Sequence, residues 1–315
     1  MADIETKDRE VWTFHKIQQR ANEAIIKKNA VTENLFVLGN GESRKDIDVE
    51  LLKTQGKVWG CNAIFRDHVV DGLIAVDPMM THEIYRSGYC DSNKVYFRDW
   101  DDMPADQYEM MKEAQSSNMK DPTIREWKSN PEGYYTHFVI HGQSTVNKNR
   151  KTDRWKGDGF ENVYITWTYG LADNNITQLK DIMNDYYGVG WEADNAGPDD
   201  PGWSSGASAM YIACKVEKPK TCYLIGMDMY STTDFINNLY KQTHGYVSSD
   251  ESAITPQNWV VQMGRVMVRY KDIQFIKVNP DESNKISERM PQWDSLPNLS
   301  YMKKSEFYTK LSLDF

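Results

Sequence analysis

Cysteine is scarce in this chain: 315 residues contain four, Cys61, Cys90, Cys214 and Cys222. None sits in a C-x-x-C pair or beside a histidine at metal-ligand spacing. That pattern excludes a structural zinc site of the usual kind, and it is too sparse for a disulfide framework in so long a chain. Long hydrophobic runs are also missing, and no stretch approaches the ~20 apolar residues of a membrane-spanning helix. The opening residues, MADIETKDREVW, lack the basic-then-apolar order of a secretory signal. A reduced, cytoplasmic protein is the expectation. Internal repeats and low-complexity segments are absent as well, which removes solenoids and disordered arrays. Positive charge is in deficit, with Lys+Arg 37 against Asp+Glu 46 and a net charge of −9. A general nucleic-acid coat protein needs a basic face to neutralise phosphates, so that class is excluded.

What the chain does have is aromatic mass: 10 Trp, 18 Tyr and 10 Phe supply enough large apolar surface for a core. Short apolar runs at 35–38, 57–61, 72–76, 95–97, 221–225 and 273–278 predict strands, separated by turn or helical segments. Strands that read as continuous apolar runs belong to a parallel sheet covered on both faces. The fold class expected is therefore α/β, a Rossmann-like parallel sheet with helices on both faces. Further strands are predicted at 134–141 and 162–168, and helices at 105–115, 170–186 and 207–214. Another helix should run from Pro256 to about Tyr270 with Thr255 as its N-cap.

Val11, Phe14, Ile17, Ala21, Ala24 and Ile25 recur at helical spacing and predict an amphipathic helix over 9–28. Residues 188–206 are dense in Gly, Pro, Asp and Trp and read as a loop, while 230–254 are polar without a period and read as a mobile lid. The predicted organisation is an N-terminal helix at 1–30, an α/β domain at 31–229 and 255–280, the lid at 230–254, and a surface-wrapping tail at 281–315.

Chemistry concentrates where strands end. In Val37-Leu-Gly-Asn-Gly-Glu-Ser-Arg44, Gly39 and Gly41 permit a sharp turn and close approach of a ligand. The turn's amides and the Ser43 hydroxyl can hold a phosphate or a ribose. The turn lacks the G-K-[ST] ending of a Walker loop and the spacing of G-x-G-x-x-G. Taken alone, it is an ordinary turn. It has company, however. Asn62 ends the second strand, Asp77 the third, and Gly226-Met-Asp228-Met-Tyr230 the strand at 221–225, while Ser205 and Gly206 open a helix. Open parallel sheets bind ligands at this edge.

These segments together carry a resemblance. LGNGESRKDIDVELL, GCNA, SSGASAMYIACK and CYLIGMDMY resemble, in order and spacing, the motifs of bacterial lipooligosaccharide sialyltransferases. The first part also resembles the related 6-hydroxymethylpterin diphosphokinase-like proteins. The likeness covers residues 35–80 and 203–230. It implies a nucleotide-sugar site on a Rossmann-like glycosyltransferase. By that resemblance Gly39, Asn40, Gly41 and Ser43 line the nucleotide and Asn62 meets ribose or phosphate. Ser205 and Gly206 hold base or ribose, and Asp228 and Tyr230 sit beside the phosphate. Glu42 stands where the family has Pro, the family's Arg before its T-S-G has no counterpart beside Trp203, and its second phosphate Tyr is missing, so CMP-sialic acid is not implied as donor.

A glycosyltransferase needs a base for the acceptor proton. His244 is the candidate by resemblance, with Asp77, Asp194, Asp199 and Asp200 as rivals, and Tyr230 can stabilise the leaving nucleotide. No metal is expected, although Asp99 and Asp101 form a D-x-D pattern suited to Mg²⁺ or Mn²⁺. Lys148, Arg150, Lys151, Arg154 and Lys156 surround Trp155, a pattern that suits a polyanionic acceptor. The expected function is a nucleotide-sugar-dependent glycosyltransferase acting on a hydroxylated DNA base or a glycan. The alternatives are a metal-dependent diphosphokinase of a small hydroxymethyl compound, and a non-catalytic nucleotide-binding module.

Overall fold

The computed structural model describes residues 33–97, 100–102, 124–129, 135–144, 163–169, 175–179, 182, 203–243 and 246–311. Its strands are β1 (Asn34–Leu38), β2 (Lys57–Cys61), β3 (Gly72–Ala75), β4 (Val95–Phe97), β5 (Trp100–Asp102), β6 (Ile124–Ser129), β7 (Tyr135–Ser144), β8 (Val163–Tyr169), β9 (Ile176–Gln178), β10 (Thr221–Ile225), β11 (Gln274–Asn279) and β12 (Leu299–Lys303). Eight of them form one sheet in the order β12-β11-β10-β1-β2-β3-β4-β9, every neighbouring pair parallel. The fold is α/β and Rossmann-like.

Alternation along β1 shows why both faces are covered. Successive strand side chains point to opposite faces. Leu35 and Val37 pack with helices α3 (Ser205–Glu217) and α4 (Gln257–Arg269) on one face. Phe36 and Leu38 pack on the other, with α1 (Val49–Leu52), α2 (Pro78–Arg86) and α5 (Lys304–Lys310). All four β1 side chains are fully buried, and each such burial stabilises by roughly 1.5–3 kcal/mol.

Chain order fixes where the ligand edge falls. From β1 the chain moves outward through β2, β3 and β4, then returns to the other flank of β1 with β10, β11 and β12. The carboxyl ends of β1 and β10 therefore flank the point where strand order reverses, the usual ligand crevice of open α/β sheets.

Strands β5, β8, β7 and β6 form a separate four-stranded sheet, with β6–β7 and β7–β8 antiparallel and β5–β8 parallel. The strands predicted at 134–141 and 162–168 are β7 and β8 of this sheet.

Three expectations are corrected. The helix over 170–186 is interrupted by β9, which pairs with β4; β-branched Ile176 and Thr177 suit an edge strand better than a helix. The strand at 273–278 is not the last, and residues 281–311 are more than surface wrapping: they supply β12 and α5, with Phe307 fully buried and Trp293 and Tyr308 nearly so. An edge strand needs few apolar residues, and the half-exposed side chains of β12 hid it. Finally, α4 begins at Gln257, and no side chain caps it, Thr255 included.

The predicted helices at 9–28 and 105–115, and nearly all of the loop at 188–206, lie outside the described residues. Among the described residues no helix is long and apolar enough to cross a membrane.

Candidate functional site

The turn after β1 continues the pairing of β1 with β10. Gly39 N–H donates to the Ile225 carbonyl across 2.8 Å and Gly41 N–H to that of Gly226 across 2.9 Å. A Cβ on Gly39 would lie 2.4 Å from the Gly226 carbonyl oxygen, and one on Gly41 2.4 Å from Asp228 Oδ2. The close approach that these glycines permit is thus to the neighbouring turn. Gly226 itself sits at φ +65°, in the left-handed region that glycine enters without penalty.

Asp228 is buried and closes this junction. Its carboxylate accepts from Ser43 N–H at 3.0 Å, from the Ser43 hydroxyl, and from Asn237 Nδ2 at 3.2 Å. Asn237 Oδ1 accepts from Glu42 N–H at 2.7 Å. Arg44, also buried, donates from Nε to the Gly39 carbonyl at 2.9 Å and toward the Tyr240 hydroxyl at 3.4 Å. Tyr240 in turn donates to Asp67 at 2.7 Å, a phenol bridge between a buried cation and an exposed carboxylate. Arg44 and Tyr240 are structural partners that no local sequence pattern marks.

Beside this junction lies a strip of neutral polar groups. Asn40, 9% exposed, donates from Nδ2 to the Cys61 carbonyl at 3.1 Å and to the Tyr246 hydroxyl at 3.3 Å. Its Oδ1 is buried and has no partner, a deficit that costs about 1–3 kcal/mol in a folded protein. Asn62 stands at the end of β2 with φ 53°, a conformation that Asn tolerates better than most residues. In that conformation Asn62 Oδ1 accepts from the Ser205 hydroxyl at 2.8 Å, and Nδ2 donates to Asp77 Oδ2 at 3.4 Å.

Ser205 opens α3, whose N-cap Ser204 accepts from Ala207 N–H; the partial positive charge of a helix start faces this strip. Gly206 packs toward Met227, where an added Cβ would lie 3.3 Å from Sδ. Asp77 is exposed and makes no cap bond to α2. The structure therefore brings Asn62, Asp77 and Ser205 together from two strand ends and a helix start, with Asn40 linked through the Cys61 carbonyl.

Tyr246 is the residue that sequence reasoning missed. Its hydroxyl accepts from both Asn40 Nδ2 and Ala63 N–H, each at 3.3 Å, which leaves the phenolic proton as the donor it offers. Burial pushes its pKa above the ordinary tyrosine value, so it stays protonated. An aromatic inside the polar 230–254 segment was the available signal. That segment is tied to the edge by Leu239 N–H on the Asn40 carbonyl at 2.8 Å and by the Lys241–Glu42 ion pair. Arg66 adds a bond to Thr243 at 2.7 Å and lies over the Tyr246 ring. Cys61 is buried, and desolvation pushes its thiol up to about 12, which keeps it protonated and a poor nucleophile at neutral pH. Tyr230 accepts at its carbonyl from Asn237 Nδ2 at 2.9 Å, and the Lys285 ammonium lies 4.8 Å from its ring centroid.

Several expected residues lie outside the described ones: His244, Asp99, Asp194, Asp199, Asp200, and the cluster Lys148, Arg150, Lys151, Arg154, Trp155 and Lys156. Asp101 lies on β5 of the second sheet. Among the described residues no group of three or more His, Cys, Asp or Glu side chains is placed to hold a metal. Comparison with family models, curated proteins and solved structures finds no match to this chain. Chemically, the strip offers amide and hydroxyl groups around one exposed carboxylate, a set complementary to the hydroxyls of a ribose or a sugar.

Proposed function

We propose that this edge binds a nucleotide sugar and that the protein transfers the sugar to a hydroxyl acceptor. The observation that carries the reading is the orphaned, buried Oδ1 of Asn40 at the strand-order reversal, an acceptor that a ligand hydroxyl or amine would satisfy. The Ser205–Asn62–Asp77 chain beside it adds a carboxylate able to grip ribose hydroxyls. The resemblance of the strand-end motifs to lipooligosaccharide sialyltransferases supports the same chemistry. In this reading Tyr230 stabilises the leaving nucleotide, and Asp77 or His244 takes the acceptor proton. The basic cluster at 148–156 supports a polyanionic acceptor such as DNA carrying a hydroxylated base.

Incubation with a panel of nucleotide sugars, with release of free sugar and nucleotide as readout, tests the donor reading. Slow hydrolysis of one donor, lost in Asn40→Ala, is the expected result. Absence of binding and hydrolysis across the panel would end it. Salt-sensitive DNA association, abolished when Arg150, Lys151 and Arg154 are neutralised together, tests the acceptor.

A further inference from the structure

A nucleotide on this edge needs its phosphate held, and the turn after β1 has little left to hold it with. The amides of Gly41, Glu42 and Ser43 are engaged by Gly226, Asn237 and Asp228. Three of the nearby cations are committed too. Arg44 is buried against Gly39 and Tyr240, Arg66 binds Glu83 through two bonds of 2.7 and 2.6 Å, and Lys241 pairs with Glu42.

The other flank of β10 is different. The turn that carries residues 285–287 is closed by a reciprocal cap: Asn284 Oδ1 accepts from Ile286 N–H at 2.9 Å, and Ser287 Oγ accepts from Asn284 N–H at 2.8 Å. Two side chains of β11 then fasten this turn to the sheet. Lys277, only 1% exposed, donates to Asn279 Oδ1 and to the Ile286 carbonyl at 3.4 Å. Asn279 Nδ2 donates to the Ser287 carbonyl at 3.1 Å.

The result is that Lys285 is presented over the face of Tyr230, at the carboxyl edge of β10. Its side chain is 52% exposed, and its ionic partner is Glu288 at 3.3 Å, itself 54% exposed. Such a surface pair is worth little and yields readily to a stronger anion. An ammonium on an aromatic face is restrained in position while its remaining N–H groups stay available.

We propose that Lys285, presented over Tyr230 by the turn that Lys277 anchors, is the cation that recognises the phosphate of the bound nucleotide. This rests on the reading that the sheet edge takes a nucleotide. The division of labour follows from burial. Lys277 is enclosed, its pKa lowered to about 8 by desolvation against the pull of Asp228, and it serves the turn; Lys285 reaches solvent and serves the ligand.

Calorimetry with the four common ribonucleosides, their 5′-monophosphates and their 5′-diphosphates separates the possibilities. For the wild-type chain, the diphosphate of the preferred base should bind at least about tenfold tighter than its nucleoside. Lys285→Gln should erase most of that preference while nucleoside affinity stays unchanged, and Lys285→Arg should keep it. Circular dichroism of the variants verifies that the fold is intact. Persistence of the phosphate preference in Lys285→Gln overturns the assignment. A wild-type chain that binds nucleosides but gains nothing from phosphate overturns it too, leaving the sugar-binding strip in place. A chain that binds none of the twelve probes overturns both this inference and the nucleotide reading beneath it.

Discussion

The Ser205 hydroxyl and the Asn62 amide oxygen are 2.8 Å apart, and their hydrogen bond ties the start of α3 to the end of β2. Because Asn62 holds φ 53°, this bond also keeps a non-glycine residue in the left-handed region, at a cost of roughly 1–3 kcal/mol. The strain sits at the ligand edge.

Asn62→Gly and Asn62→Ala should therefore part company. Both lose the links to Ser205 and Asp77, but glycine relieves the backbone while alanine does not. Thermal melting should show Asn62→Gly near the wild type and Asn62→Ala lower by about 1 kcal/mol, with nucleotide affinity reduced in both. Equal melting of the two variants would show that the backbone strain has no weight.

Gly41→Ala should destabilise the fold by about 1–3 kcal/mol, because its Cβ would meet Asp228 Oδ2 at 2.4 Å. A carboxylate held by Ser43 and Asn237 has no freedom to step aside. Urea unfolding reads this directly. A variant as stable as the wild type would mean that the two turns separate easily.

Alkaline pH provides a third test. Lys277 binds its proton less tightly in the folded chain, at about 8, than its ordinary value of 10.5. Between those values the unfolded chain carries more protons, so stability rises with pH, by at most about 1.4 kcal/mol per pH unit. Buried Tyr89, Tyr240 and Tyr246 have raised values and act in the opposite sense once unfolded tyrosines ionise near 10. The window for Lys277 is thus pH 8 to 10. Denaturant melts across it should show wild-type stability rising relative to Lys277→Met; parallel curves would count against a buried ammonium.

The Leu239 amide reports on the 230–254 segment, since it donates to the Asn40 carbonyl. If that segment is the lid expected from its composition, hydrogen exchange at Leu239 should slow when nucleotide is added. Identical exchange with and without nucleotide would remove the lid.

Legibility followed burial. The runs at 57–61, 95–97 and 221–225 match β2, β4 and β10 end for end, because strands buried on both faces must be apolar throughout. β12 escaped notice since its edge position lets Ser300 and Lys303 face water. At the site, the strand-end positions of Asn40, Asn62 and Asp77 and the helix-start position of Ser205 were readable from local patterns. That Asp228 is consumed by Ser43 was not readable, because the bond spans 185 residues and depends on which strands become neighbours. Tyr246 was lost for the same reason, being joined to Asn40 across 206 residues.

The ring of Phe307 meets that of Phe36 edge-on at 6.1 Å and that of Tyr223 at 5.2 Å. The back of β1, among the first described residues to be translated, is thus sealed by a helix synthesised some 270 residues later. A nascent chain on the ribosome cannot complete that face until α5 has emerged from the exit tunnel, and until then Phe36 and Tyr223 lack the ring that covers them.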